Sequence, residues 1–166
     1  MKDKLYHEIK KSRGLYLAYL DTPIGTLEFT GDEKYLLSVM FVEEKTEVER
    51  RNPIVEEATK QFSLYFQGKL GEFSLPIQLN GTQFQNRAWE ELCNIPYGET
   101  ISYKEQATRA GNPKGCRAVG GANGKNILSI VVPCHRVIGS NNTLTGYAGG
   151  LDKKQWLLEH EKINKK

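Results

Sequence analysis

The chain has 166 residues, 23 Lys+Arg against 20 Asp+Glu, and 39% hydrophobic residues, which suits one or two small domains with a real core and argues against disorder. No apolar stretch reaches membrane-spanning length and the N-terminus lacks a signal-peptide pattern, so no membrane partner is expected and the protein is placed in the cytoplasm, in a reducing compartment. The three cysteines, Cys93, Cys116 and Cys134, are odd in number and widely spaced; they make a poor disulfide framework and, without close ligand pairs, a poor zinc site.

Charge is uneven along the chain. Residues 1–78 carry 11 Lys+Arg against 13 Asp+Glu, and residues 79–166 carry 12 against 7. The second, basic part is where a polyanionic partner is expected, although a merely soluble basic surface has the same composition.

Residues 1–78 read as a mixed α/β structural domain. Gly14 to Leu20, Gly25 to Thr30 and Tyr35 to Val42 are short β-rich runs, and Asp21-Thr22-Pro23-Ile24-Gly25 is a turn signal between the first two. Pro53 opens a helical pattern to Phe66 that places Ala58 and Phe62 on one face, with Gly68 as its stop. Phe73 to Leu79 reads as a further strand. No cluster in this half looks chemical.

Residues 79–166 read as a mostly helical domain. Thr82 and Gln85 form a capping box ahead of the apolar face Phe84, Ala88 and Leu92; Ser102 and Glu105 form a second ahead of a helix that Gly111 stops. Asn112 then caps a third helix with Pro113 at its first position. Two short helices joined by Ala110-Gly111-Asn112 suggest a helix-turn-helix, a motif that proteins unrelated to DNA also use. On the third helix Cys116, Val119 and Asn123 share one face, read as core, while Lys114, Arg117, Gly121 and Lys125 share another. Gly120 and Gly121 sit mid-helix, where each costs about 1 kcal/mol relative to Ala. Close approach of another backbone would explain that cost, and either a neighbouring helix or a nucleic acid would serve. Ile127 to Val132 is an almost continuous apolar run, expected to be a buried strand, and leads into Pro133-Cys134-His135-Arg136-Val137-Ile138. A glycine-rich loop, Gly139 to Gly150, precedes a last helix opened by Asp152, with Trp156, Leu157 and Leu158 toward the core.

Cys134 is the candidate nucleophile. A free thiol is only about 3% thiolate at pH 7, and burial lowers that fraction. A base must therefore help, and His135 adjoins. In an extended strand, however, consecutive side chains point to opposite faces, so contact needs a turn at Pro133 or one water between thiol and imidazole. A carboxylate on the far ring nitrogen would orient the ring; Glu161 is available, but spacing alone does not place it there.

The hexapeptide Pro133 to Ile138 resembles the active-site signature of the O6-alkylguanine-DNA alkyltransferases, also called methylated-DNA–protein-cysteine methyltransferases. Tyr97-Gly98-Glu99-Thr100-Ile101-Ser102-Tyr103 is similar to that family's entry into its helix-turn-helix. Gly111-Asn112-Pro113 and Arg117-Ala118-Val119-Gly120-Gly121-Ala122 are similar to its recognition helix, and Asn126 to the asparagine that follows. Gly146-Tyr147-Ala148-Gly149-Gly150-Leu151 and Trp156-Leu157-Leu158-Glu159-His160-Glu161 match its loop and final helix. The resemblance covers about residues 82–161, in order; residues 1–78 match in length and coarse pattern only.

The resemblance implies a two-domain α/β fold: a small N-terminal α/β, ribonuclease H-like domain over residues 1–78 and a mostly helical, winged-helix-like C-terminal domain with a helix-turn-helix over residues 79–166. It implies that Cys134 accepts the alkyl group, that His135 is its base through a water, and that Glu161 holds His135. Tyr103, at the first turn of its helix, rotates a DNA phosphate and can donate to the departing base oxygen. Arg117 enters the duplex. Lys114, Ala118, Gly120, Gly121 and Lys125 belong to the DNA-binding helix, whose small face lets backbone lie in the minor groove. Asn126 braces the turn beside the cysteine. Val137, Tyr147, Ala148 and Gly149 line the base pocket, largely through backbone groups. The expected substrate is double-stranded DNA carrying O6-alkylguanine or O4-alkylthymine, extruded because the alkylated oxygen lies inside the stack. A thioether product has no acyl carbon for water to attack, so each molecule acts once. The expected protein is a monomer, associated with the nucleoid while acting, and needs no metal or organic cofactor.

Some relatives bind structural zinc through N-terminal cysteines, and this sequence has none in that half. Ala148 stands where some members carry serine, which removes a hydroxyl from the pocket. Some relatives lack the cysteine and only mark lesions. The rival readings are therefore a non-catalytic helix-turn-helix or lesion-binding protein, and a cysteine hydrolase with a Cys-His-Glu triad; the second gives Arg117 no role.

Overall fold

The computed structural model describes residues 2–11, 14–139, 144–147 and 149–165. The chain divides into two compact units, Met1–Gln78 and Leu79–Lys166.

In the first unit, α1 (Lys2–Lys11) is followed by β1 (Tyr16–Thr22), β2 (Gly25–Gly31), β3 (Leu36–Val42) and α2 (Pro53–Phe66). The three strands form an antiparallel sheet in the order β1-β2-β3, with Ala18 opposite Phe29 and Phe29 opposite Val39. Pro23 and Ile24 make the first hairpin, where the Thr22 hydroxyl donates to the Gly25 carbonyl at 2.7 Å. α2 starts where Asn52 accepts from the Val55 amide, with Pro53 at the first position, and stops before Gly68 (φ 74). Its buried Val55, Ala58 and Phe62 cover the apolar sheet face, with the Phe62 ring edge-on to Phe29 at 4.9 Å.

One element has no counterpart in the sequence reading, and one expectation fails. Helix α1 has no clear apolar stripe in sequence; its Lys10 and Tyr6 instead reach Glu28 on the opposite, polar face of the sheet. Residues 73–79 are not a strand. They run beside β3 with one bridge, Leu36 to Ile77, because Pro76 has a carbonyl for the Leu36 amide (2.7 Å) and no N–H to extend the ladder.

The second unit contains α3 (Gln83–Cys93), β4 (Ile101–Ser102), α4 (Tyr103–Arg109), α5 (Cys116–Gly124), a 3-10 turn (Cys134–Arg136), β5 (Val137–Ile138) and α6 (Leu151–Asn164). The Thr82 capping box forms in full. Only half of the second forms: the Ser102 hydroxyl accepts from the Glu105 amide, while the Glu105 carboxylate turns to Arg109 at 2.9 Å. Helices α3, α4 and α5 pack through small residues, Ala88, Ala107, Ala110, Val119 and Ala122, so their backbones come close. Two buried polar ties fix them. The Gln106 and Asn123 amides bond reciprocally at 2.8 Å, and the Trp89 indole donates to the Ala122 carbonyl at 2.8 Å. Gln106→Leu leaves the Asn123 amide without its partner in the core; a loss of about 1–3 kcal/mol is expected, read as a lower urea midpoint at unchanged slope.

α5 begins three residues later than the Asn112 cap predicted. Asn112-Pro113-Lys114-Gly115 closes its own turn, the Gly115 amide on the Asn112 carbonyl at 2.8 Å, with Asn, Pro and Gly at the turn positions each favours. Lys114 therefore precedes the helix, and Lys125 is its C-cap. Cys116 is exposed at the first turn, whereas Val119 and Asn123 are buried; the core reading holds for those two and fails for the cysteine, which lies at the open end of the helix. On α6, Leu157 is fully buried while Trp156 and Leu158 are half-buried. Among the described residues, no helix is long and apolar enough to cross a membrane.

Candidate active site

The apolar run before Cys134 is buried as expected, with Ile127, Leu128, Ile130 and Val132 each at most 5% exposed, yet it is a turn and not a strand. Asn126 organises it. Its Oδ1 accepts from the Leu128 amide at 2.9 Å, and its Nδ2 donates to the Val132 carbonyl at 2.9 Å and to Cys134 Sγ at 3.4 Å. The Val132 amide closes back on the Leu128 carbonyl at 3.0 Å, and Ile130 sits at φ 72. A left-handed conformation is strained for a β-branched residue, by about 1–2 kcal/mol, and burial with the Asn126 bonds holds it there.

Cys134 opens a 3-10 turn in which the Arg136 amide bonds the Pro133 carbonyl at 3.0 Å. The turn removes the opposite-face problem of an extended strand. Cys134 stays partly accessible, while His135 and Arg136 enter the interior beside α6. There His135 Nε2 meets Glu161 Oε2 at 2.6 Å, with both side chains essentially fully buried. Arg136 grips the same carboxylate twice, Nε to Oε1 at 2.8 Å and Nη2 to Oε2 at 3.1 Å, and its Nη1 donates to the Ile95 carbonyl at 2.7 Å. The Gly98 amide also reaches Glu161 Oε1, at 3.3 Å, from a turn in which Gly98 adopts φ 78. Burial alone would raise the Glu161 pKa, but His135 and Arg136 outweigh it and hold the carboxyl well below its usual range. Burial lowers the His135 pKa, against Glu161, with Arg136 and Lys154 lowering it further. Both shifts run toward an ionised Glu161 beside an uncharged imidazole, an arrangement in which Nε2 would carry the proton that Oε2 accepts. His135 Nδ1 is buried and has no partner among the described residues.

Cys134 borders a pocket of about 530 Å³ whose walls include Tyr103, Cys116, Arg117, Gly120, Thr145, Gly146 and Tyr147. The Tyr103 hydroxyl and the Lys154 ammonium both donate to the Thr145 carbonyl, at 3.0 and 2.7 Å, tying this wall to α4 and α6. Lys154 is buried, and burial lowers its pKa against the pull of Cys134. Burial, with Cys134 and Glu161 nearby, raises that of Tyr147, so its phenol keeps its proton. Val137 is fully buried in β5 opposite Ile101, and Gly149 packs on the Tyr147 ring, where a Cβ would come within 2.9 Å; neither borders the pocket. Ala148 lies outside the described residues. Lys114, Arg117, Ala118 and Gly121 are all exposed. A Cβ on Gly120 would meet only the Tyr103 ring, at 3.9 Å, and one on Gly121 would meet nothing within 4 Å. Among the described residues, no neighbouring helix therefore requires these two glycines. Among the described residues no His, Cys, Asp or Glu side chains cluster as a metal site would need.

The sequence profile described as the DNA binding domain of 6-O-methylguanine DNA methyltransferase matches residues 83–163, and that described as its ribonuclease-like domain matches residues 15–79. This chain belongs to the 6-O-methylguanine DNA methyltransferase family. The methylated-DNA–protein-cysteine methyltransferase of Methanosarcina barkeri is 44% identical over 156 residues, covering 90% of this chain and 99% of that protein. That of Mycobacterium leprae is 46% identical over 148 residues, covering 86% and 90%. The crystal structure of the Mycobacterium tuberculosis O6-methylguanine methyltransferase superposes with a TM-score of 0.83 at 42% identity, over 92% of this chain and 95% of that one. The same relative solved in complex with DNA gives 0.81 at 44% identity, over 88% and 92%.

Within this methyltransferase, Cys134, Tyr103, Arg117, Gly120 and Tyr147 meet at one pocket, with Asn126, His135 and Glu161 behind the cysteine. Sequence reasoning missed Arg136 and Lys154. Lys154, Leu157 and Glu161 recur at helical spacing on the buried face of α6, so a lysine in register with a core leucine was the available signal. For Arg136 it was a charge held between two apolar runs.

Proposed function

We propose that the chain reverses alkylation damage in DNA directly, transferring the alkyl group of O6-alkylguanine, and of O4-alkylthymine, irreversibly to Cys134. The observation that carries this reading is a partly accessible thiol on a pocket wall, followed by a buried histidine whose Nδ1 has no partner among the described residues and whose Nε2 meets Glu161 Oε2 at 2.6 Å. The Cys134 proton passes to His135 Nδ1 through one water. The thiolate displaces the base from the alkyl carbon: the S–C bond forms, the C–O bond breaks, and its electron pair stays on the base. The base regains a proton from the Tyr103 hydroxyl, and the proton on His135 restores the balance. The Asn126 amide on Sγ favours the anion.

DNA is the partner, through α4 and α5 acting as a helix-turn-helix in a winged-helix-like domain. Support comes from the DNA binding profile, from the relative solved with DNA, and from an exposed helix surface that combines Lys114 and Arg117 with Ala118 and Gly121. Gly120 and Gly121, which no neighbour explains, let the α5 backbone enter the minor groove. Lys125, half-buried at the helix end, contributes charge. Tyr103 acts on the phosphate that turns the nucleotide out, and Arg117 fills the space it leaves. Tyr147, which lines the pocket, receives the base. The protein works as a monomer, without a metal or organic cofactor. A lesion-binding protein without chemistry would have no use for the buried His135–Glu161 pair.

The reading is tested with a duplex holding one O6-methylguanine: guanine restored should plateau at one per protein molecule, and continued turnover would exclude it. Arg117→Ala is expected to slow repair of the duplex about tenfold or more, since extruding a paired base costs a few kcal/mol, while reaction with free O6-methylguanine changes little. Equal losses on both would contradict a role for Arg117 inside the duplex.

A further inference from the structure

The proposed chemistry assigns nothing to Arg136, yet Arg136 is among the most completely engaged side chains of the site. It is 6% exposed, spends three N–H groups on the Glu161 carboxylate and the Ile95 carbonyl, and stands 5.7 Å over the Tyr97 ring. The 3-10 turn is what allows this, because it sends residues 135 and 136 to one carboxylate from the same side.

We propose that Arg136 is a positioning residue which balances the charge of Glu161, so that His135 stays neutral and its Nδ1 remains a proton acceptor. This rests on the role of His135 as base given above. A buried carboxylate facing an imidazole alone draws a proton onto the ring, and an imidazolium cannot accept the cysteine proton. With Arg136 gripping both carboxylate oxygens the cluster is already neutral, and a further proton would leave a net buried charge. The charged and titratable groups around His135 are Glu161 and Lys154 on α6, Arg136 and Cys134 on the turn, and Tyr97 and Tyr147 on the flanking loops. Lys154 acts in the same direction as Arg136, and Glu161 against both. Tyr97 and Tyr147 have raised pKa values, so neither adds charge near neutral pH.

Two measurements test this. The first follows methyl transfer to Cys134 against pH in the full-length protein, in Arg136→Met and in Arg136→Lys. Removing the positive charge should move the acid limb of the rate profile up by about one pH unit or more, and Arg136→Lys should return it toward the wild-type position even where its rate is lower. A uniform loss at every pH with the limb unmoved would overturn the proposal in favour of a purely structural role. The second needs no variant: nitrogen NMR of histidine-labelled wild-type protein, which has three histidines. His135 should keep the neutral, Nε2-protonated form at and below the ordinary histidine value of about 6.5. Protonation of His135 at or above the ordinary histidine value of about 6.5 would overturn it, and this readout holds whether or not Arg136→Met folds. A protein that transfers no methyl at all would defeat the proposed function, while the NMR result would still decide the protonation state.

Discussion

Replacing Cys134 with alanine is expected to abolish guanine restoration completely while leaving the fold and DNA binding almost intact. The thiol is partly accessible and sits at the start of a 3-10 turn. Asn126, whose amide donates to Sγ, keeps its bonds to the Val132 carbonyl and the Leu128 amide when the sulfur is removed. A stability change of about 1 kcal/mol or less is therefore expected. Cys116 borders the same pocket from the exposed first turn of α5, whereas Cys134 is the thiol to which the Asn126 amide donates. Chromatography of a lesion-bearing duplex after incubation reads the first part, and fluorescence anisotropy with the same duplex reads the second. Residual repair by Cys134→Ala would assign the chemistry to another residue.

Glu161→Ala should have the largest effect on stability and should also remove most of the reaction rate. It leaves Arg136 buried without its carboxylate and His135 without its anchor. Breaking a buried ion pair by deleting one partner typically costs about 3–5 kcal/mol. Glu161→Gln keeps the shape and should lose less. The pH dependence of stability follows from the signs. Glu161 has a folded pKa below its ordinary 4.5, so its contribution is complete above that value and declines as pH falls from there through the depressed folded value. His135 is held below its ordinary 6.5, so the unfolded chain binds an extra proton first, and stability also falls as pH drops below 6.5. Both groups make the domain acid-sensitive. Urea midpoints measured from pH 7 to pH 3 should fall for the wild type, and the gap between wild type and Glu161→Gln should narrow below pH 4.5. A gap that widened toward acid would contradict an ionised Glu161.

What the sequence revealed, and what it hid, follows from how local each feature is. The three strands, the Pro53–Phe66 helix and the Thr82 capping box were legible because turn residues, caps and side-chain periodicity act within a few positions. Residues 73–79 and 127–132 are apolar enough to read as strands, but Pro76 removes one ladder donor and Asn126 draws the other segment into a turn. Asn112 followed by Pro113 satisfied a cap rule and a turn rule together, and the turn won because Gly115 closed it. At the site, the motif residues pointed to Cys134, His135 and Glu161, but the pairing of His135 with Glu161 spans 26 positions and is set by the packing of α6. Arg136 and Lys154 were hidden for the same reason: a charged side chain reads as solvated until the fold shows that it is buried and what it bonds.

The most direct test of the central claim is the intact mass of the protein after mixing with a duplex holding one O6-methylguanine. A gain of one methyl group, mapped to Cys134, with an equal amount of guanine restored and no gain in Cys134→Ala, is the predicted result. Tight lesion-dependent binding with no change of mass would contradict it and leave a protein that marks damage without repairing it.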